Sequence, residues 1–360
     1  GVQTCALPIS PSTVTVMGAE LTVLPSAQAD LAAFKVGDKV TLLLTTTGQV
    51  AGAVSPDVAK SNAVGVAEVK GTTATIKLLD GILTLEGQTT YSEAAAAKLN
   101  GCLVTVSSYK RDYLTLSKVN GKGASTALNL TTNRMGTKEL SAGARFFEQV
   151  GNGRLVEIDR SDITITSIPA NKITYVGYDW AGRVDKLVLN DVTGDRYDYG
   201  IIHYQPAGYQ ETPGNPDGNG EYKNGEISVT NGSFPKGMPP YVVGSVDGAK
   251  TNRMGGVAGS LDQLDGKNRM AAFMPLNEAT GIRRAQFDTD AMLLTTNSMV
   301  IPISDKVECY NKTTGDWFKP GEDGDHKAAL NLALAFSDDI TVYYDRSPEE
   351  GGKVRIVVVE

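Results

Sequence analysis

The sequence predicts an all-β fold: tandem small β-barrel or β-sandwich modules with a few short helices. Three observations predict it. The chain repeats itself: Leu130-Thr131-Thr132-Asn133-Arg134-Met135 returns as Leu294-Thr295-Thr296-Asn297-Ser298-Met299, Ile173-Thr174 as Ile340-Thr341, and Gly182-Arg183-Val184 as Gly352-Lys353-Val354. The spacing drifts by only a few residues, so insertions fall in loops, and a module used more than once points to an array. Short runs of β-branched and aromatic residues recur between Asn-Gly and Asp-Gly pairs, such as Asp80-Gly81, Asn120-Gly121 and Asp247-Gly248. Those dipeptides supply the positive φ that tight hairpin turns require. Helix signals are scarce and short.

The elements follow in order. Residues 26–34 read as a helix opened by Ser26, a good N-cap. A hairpin follows, 40–44 returning as 50–54 through Thr45-Thr46-Thr47-Gly48. Residues 92–99 read as an Ala-rich helix from Ser92 to the Asn100-Gly101 stop, and lead into a second hairpin, 104–106 with 113–116. The third hairpin, 173–176 with 184–189, is preceded by Ser167-Ile168-Pro169, where the helix signal is lost. Residues 206–240 are rich in Pro, Gly and Asn and read as a linker or long loop. Strands resume over 241–290, clearest at 242–246. A helix opened by Asp325 then leads into the fourth hairpin, 340–344 with 354–359. Each helix is expected to plug one end of a small barrel with Leu31, Leu99 or Leu330. The apolar hairpin positions Leu42, Leu44, Val50, Val104, Leu114, Val184, Leu187, Val342 and Val354 are the expected core.

These signals divide the chain into residues 1–10, 11–126, 127–224 and 225–360. The first ten residues look out of place and read as a non-native leader, which makes the chain the C-terminal part of a longer protein. Residues 11–126 hold two helix–hairpin units, 127–224 the first repeat copy with the Pro/Gly/Asn-rich loop, and 225–360 the second copy.

Composition narrows the function. Of 360 residues 41% are hydrophobic, enough for real cores, and the net charge of −7 with scattered basic residues argues against nucleic acid as partner. No apolar run approaches the ~20 residues of a membrane-spanning helix. Three Cys and two His beside plentiful Thr, Gly, Asn and Val fit the Cys-poor, Thr-rich β proteins common outside the cytoplasm. Cys102 and Cys309 read as small buried hydrophobes, and with Cys5 they define no disulfide framework. His203 and His326 lack Cys or His neighbours at metal-ligand spacing. The acid pairs Asp338-Asp339 and Glu349-Glu350 read as solvated turn charges. No catalytic residue and no cofactor is expected. Weak calcium candidates are Asp217, Asn219 and Glu221 in one loop and Asp323 and Asp325 in another, neither completing an EF-hand pattern. Trp180 and Trp317, with Tyr175, Tyr178 or Tyr310, offer either a sugar-stacking platform or, more in keeping with hairpin tips, a cover for the core edge.

Residues 178–195, 307–311 and 343–355 resemble the C-terminal β-rich region of S-layer homology domain-containing surface-layer proteins of Firmicutes. The likeness runs over roughly residues 11–360, but the chain carries no S-layer homology module, so wall anchoring is not implied for any residue. The resemblance implies an extracellular, cell-surface or cell-wall location. The expected function is a structural or adhesive, non-catalytic segment of a bacterial surface protein. Its partners would be neighbouring copies or other cell-surface and cell-wall components. The alternatives are a carbohydrate- or cell-wall-binding module and an accessory region of a secreted hydrolase.

Overall fold

The computed structural model describes residues 2–4, 12–16, 19–32, 34–35, 39–54, 63–79, 81, 84–110, 112–119, 123–179, 181–211 and 220–360. They are mostly strand with a few short helices, so the fold is all-β. The chain forms two compact units: Gly1–Phe147 with Ser167–Leu189, and Glu148–Thr166 with Asn190–Glu360.

Unit 1 begins with β1 (Val2–Thr4), the ribbon β2 (Thr13–Val16) and β3 (Ala19–Thr22), and the helix Gln28–Ala32. The first hairpin is β4 (Lys39–Leu44) and β5 (Val50–Val54), with β1 on its edge. Leu31 is buried with Val14, Val40 and Val50, but beside an open three-stranded sheet rather than at the end of a barrel. Leu44 corrects an expectation. It is 52% exposed, because the β4–β5 register shifts between Leu43 and Leu44 and turns this last strand residue off the core face.

The next strands close into a barrel: β6 (Val64–Lys70), β7 (Thr73–Leu78), β8 (Thr84–Thr89), β9 (Leu103–Lys110) and β10 (Tyr113–Lys118), in the order β10-β8-β7-β6-β9. Closure removes the unpaired edges that make open sheets sticky. Ile76, Val104, Leu114 and Leu116 fill it, and Leu99, after the helix Glu93–Ala97, packs half-buried against them. Unit 1 ends in a sheet of β11 (Leu128–Asn129), β12 (Arg134–Met135), β13 (Lys138–Gln149), β15 (Ser167–Ile168), β16 (Ile173–Tyr178) and β17 (Val184–Asn190), ordered β15-β11-β12-β13-β17-β16. Strand β14 (Val156–Ile158) falls in unit 2.

Unit 2 contains a second closed barrel. Its strands are β18 (Asp198–Gln205), β21 (Gly225–Thr230), β22 (Tyr241–Val243), β23 (Met254–Leu264) and β24 (Lys267–Pro275), and a small ribbon of β19 (Gly208–Glu211) and β20 (Gly220–Lys223) precedes β21. The 206–240 stretch is thus more than a loop. Gly225, Ile227 and Val229 alternate inward along β21, a period-two signal hidden by the surrounding Pro and Gly.

The second sheet of unit 2 comprises β25 (Asn277–Ile282), β26 (Phe287–Asp288), β27 (Leu293–Thr295), β28 (Val300–Asn311), β29 (Asp316–Phe318), β30 (Ile340–Tyr344) and β31 (Val354–Val359). Its order is β25-β30-β31-β28-β27-β26, with β29 beside β28. The helix His326–Phe336 buries Leu330, Ala333 and Leu334 against Val307, Val342, Val354 and Val357. All four expected hairpins are antiparallel pairs. The sheets are nevertheless mixed: β8–β10, β22–β24 and β28–β31 pair in parallel, where barrel closure or a long crossover brings non-sequential strands together.

Candidate functional site

A dense cluster of charged side chains inside unit 2 is set by a break in strand register. In β30 and β31, Tyr343 faces Ile356 and Tyr344 faces Val354, so Arg355 has no partner. On the other side of β31, Ile303 faces Val354 and Glu308 faces Ile356, so Ser304 through Val307 lie opposite Arg355 alone. Such a bulge re-aims a side chain. Here it turns an Arg into the interior of a strand whose every residue is buried.

Every N–H of that guanidinium finds an acceptor. Nε and Nη2 donate to Asp345 Oδ2 at 3.0 and 2.8 Å, and Nη1 donates to Asp195 Oδ1 at 2.5 Å and Ser304 Oγ at 3.1 Å. Nη2 also donates to Thr193 O at 2.5 Å, and the Tyr199 ring lies 5.0 Å from Cζ. Lys353 Nζ holds the other oxygen of Asp195 at 2.8 Å. Burial opposes the charge on Asp195, but Arg355 and Lys353 overcome it and hold its carboxyl below the ordinary value. Burial opposes the guanidinium charge too, and Tyr199, Asp345 and Asp195 overcome that, so Arg355 stays charged. The 191–195 turn is pinned from its other side. Glu148 accepts from the amides of Val192 and Thr193 at 2.5 and 2.7 Å and from the Thr193 hydroxyl, and Arg346 pairs with Asp191. Gly194, at φ +72°, is needed there, because a Cβ would collide with Asp345 and Arg355.

Beside this network lies a cavity of about 100 Å³, lined by Asp195, Asp198, Ser304, Lys306, Glu308, His326 and Arg355 among others. It has room for a few waters but lies far below the ~300 Å³ of a small-molecule site. Glu308, 5% exposed, accepts from Gly232 N at 2.9 Å. Burial pushes its carboxyl up to about 7, against hydrogen bonds from Gly232 and Ser233 and with help from Asp198. Burial raises Asp198 also, against Arg196 and Lys306. In unit 1 an open depression of about 580 Å³ on the first barrel is lined by Glu68, Val69, Lys70, Thr73, Thr75, Glu86 and Asn100. It offers no aromatic face for a sugar ring.

The sequence-derived candidates do not converge on either place. Asp217, Asn219 and Trp180 lie outside the described residues, as does Cys5. Glu221 lies in β20. Asp323 sits in a turn at φ +58°, and Asp325 caps the helix by accepting from Ala328 N at 3.2 Å. Among the described residues no three His, Cys, Asp or Glu side chains group as metal ligands. Trp317 packs on Tyr310 at 4.9 Å and covers the core edge. His203 is exposed and bonds Thr230 Oγ1 at 2.6 Å. His326 faces Val307 O at 3.1 Å, an acceptor, so its Nδ1 carries the hydrogen. Cys309 is fully buried, with its thiol pushed up by burial, and Cys102 is half-buried. Asp338, Asp339, Glu349 and Glu350 are exposed.

Sequence reasoning passed over Arg355, Asp345, Asp195 and Glu308. One signal for them was present: a single Arg inside the apolar run 354–359. Compared with protein-family models, with curated proteins and with solved structures, the chain matches none.

Proposed function

We propose that this chain is a structural or adhesive, non-catalytic segment of an S-layer-like protein on a bacterial cell surface. Its partners are neighbouring copies or other cell-surface and cell-wall components. One observation supports the reading: the Arg355 network inside unit 2 is spent on the chain itself. Arg355 has every donor engaged by Asp345, Asp195, Ser304 and Thr193, so this network ties three segments of chain together. Closed barrels and the resemblance of residues 178–195 and 343–355 to surface-layer proteins support it as well.

Stretching the full chain by its ends in an atomic force microscope tests the mechanical part. Discrete force peaks for each unit are expected; extension without peaks would sink the idea. A glycan array run in parallel addresses the carbohydrate-binding alternative, and a reproducible hit there would replace the structural reading.

A further inference from the structure

We propose that Glu308 is a proton-controlled latch inside unit 2, closing the 231–234 turn onto strand β28 when its carboxyl is protonated and loosening that turn when it ionises.

The geometry is a buried acid on one element gripping the backbone of another. Glu308 Oε2 takes the Gly232 amide at 2.9 Å, 76 residues away in sequence. The turn is shaped for that approach. Asn231, itself buried, donates to Tyr199 O at 2.9 Å and accepts from Phe234 N at 2.7 Å. A Cβ at position 232 would press on Glu308 Oε2 and Phe318 O, both at 2.8 Å, so glycine alone lets the turn come this close.

Gly232 and Ser233 of the turn donate to Glu308 and favour its charge, but burial outweighs them and the charged groups around it add little. From β18 come Asp198, a second carboxyl, and Tyr199, and just before it Tyr197. From its own strand Lys306 lines the same cavity, an exposed side chain. Arg355 of β31 and Asp195 before β18 are bonded to each other. From the helix comes His326, whose Nδ1 lies 3.9 Å from Glu308 Oε1, and it is the one basic side chain within 4.0 Å among the described residues. A carboxylate formed here needs water, and the adjoining cavity is the way water reaches it once the turn gives.

The sign follows from linkage. The closed state holds the proton up to about pH 7, whereas an exposed glutamate loses it near 4.5. The open state therefore binds fewer protons between these values, and opening becomes easier as pH rises across that window, then levels off.

Hydrogen exchange of the full chain between pH 4.5 and 9, corrected for intrinsic rates, reads this directly at residues 231–234. Protection there is expected to fall on the order of a hundredfold from pH 5 to pH 7.5 and stay level above, while the strands of the second barrel hold theirs. In Glu308→Gln the profile should be flat. In Asp198→Asn, with the neighbouring carboxyl gone, the fall should level off at lower pH and be smaller. A pH-independent wild type, or Glu308→Gln keeping the wild-type slope, overturns the latch. Should Glu308→Gln not fold, the carboxyl carbon of Glu308 followed by NMR in the wild type decides: a midpoint near 7 supports the latch, and one below 5 removes it.

Discussion

The sheet of unit 1 built on β13, β16 and β17 and the sheet of unit 2 built on β28, β30 and β31 follow the same path. Each starts with a strand of 12 residues and ends in a hairpin whose second strand sits between the first strand and its own hairpin partner. Each also breaks register at the corresponding point. In unit 1, Gly177 faces Lys186 and Tyr178 faces Val184, so the register skips Asp185, as in unit 2 it skips Arg355. The contents differ. Asp185 keeps company with its neighbour Lys186 at 2.7 Å, whereas Arg355 gathers acids from distant parts of the chain. The approach to the hairpin differs as well: a helix with Leu330 at its core in unit 2, a short 3-10 turn, Ala170–Lys172, in unit 1. The bulge thus belongs to the shared path, and the charge placed in it is free to vary.

The hardest test of that comparison is to strike one copy at a time. Arg355→Met should cost unit 2 about 3–5 kcal/mol, because Asp345 is left buried and unpaired, while unit 1 unfolds in urea as before. Val184→Asp, a charge placed at a 0%-exposed position, should do comparable damage in unit 1. If either variant loosens both units equally under hydrogen exchange, the copies are not separate in stability.

A smaller loss is expected where the copies differ in how they cover the sheet. Leu330→Ala should destabilise unit 2 by about 2–5 kcal/mol in a denaturant titration, the ordinary cost of a core cavity. A loss under 1 kcal/mol would mean the helix is an ornament and the 3-10 route of unit 1 is the better guide.

The mildest comparison sets two helix caps against each other. Asp325 accepts a backbone amide and Ser92 makes no such bond. Asp325→Ala should lower stability by about 1 kcal/mol, and Ser92→Ala should leave the thermal midpoint where it was. Equal effects from both would show that the caps act through something other than that hydrogen bond.

Much of this was legible in the sequence, for a physical reason. Hairpins and short helices are local: alternation along 340–344, the Asn100-Gly101 stop and the Ser or Asp openings act within a few residues, so the sequence displays them. The repeat told the shared path in advance. Leu44 misled because a one-residue register shift reverses a face without altering composition. The interior charges were illegible for the opposite reason. Asp195, Asp345 and Arg355 stand far apart in the chain, and their meeting depends on strand order and on a bulge that no local pattern announces. The residues were in view all the same: 178–195 and 343–355 contain Asp195, Asp345, Lys353 and Arg355. Glu308 gave no sign, since an acid in a strand reads as solvent-facing until its neighbours are known.

The position of β31 sets an order of assembly. It is made after β28 and β30 yet lies between them, so those two strands have no sheet to share until it arrives. Until then β28 and β30 each expose a bare edge and the helix between them has only part of its seat. The β30–β31 hairpin is local, whereas the β28–β31 pairing joins Ile303 to Val354, a non-local contact of the kind that slows folding.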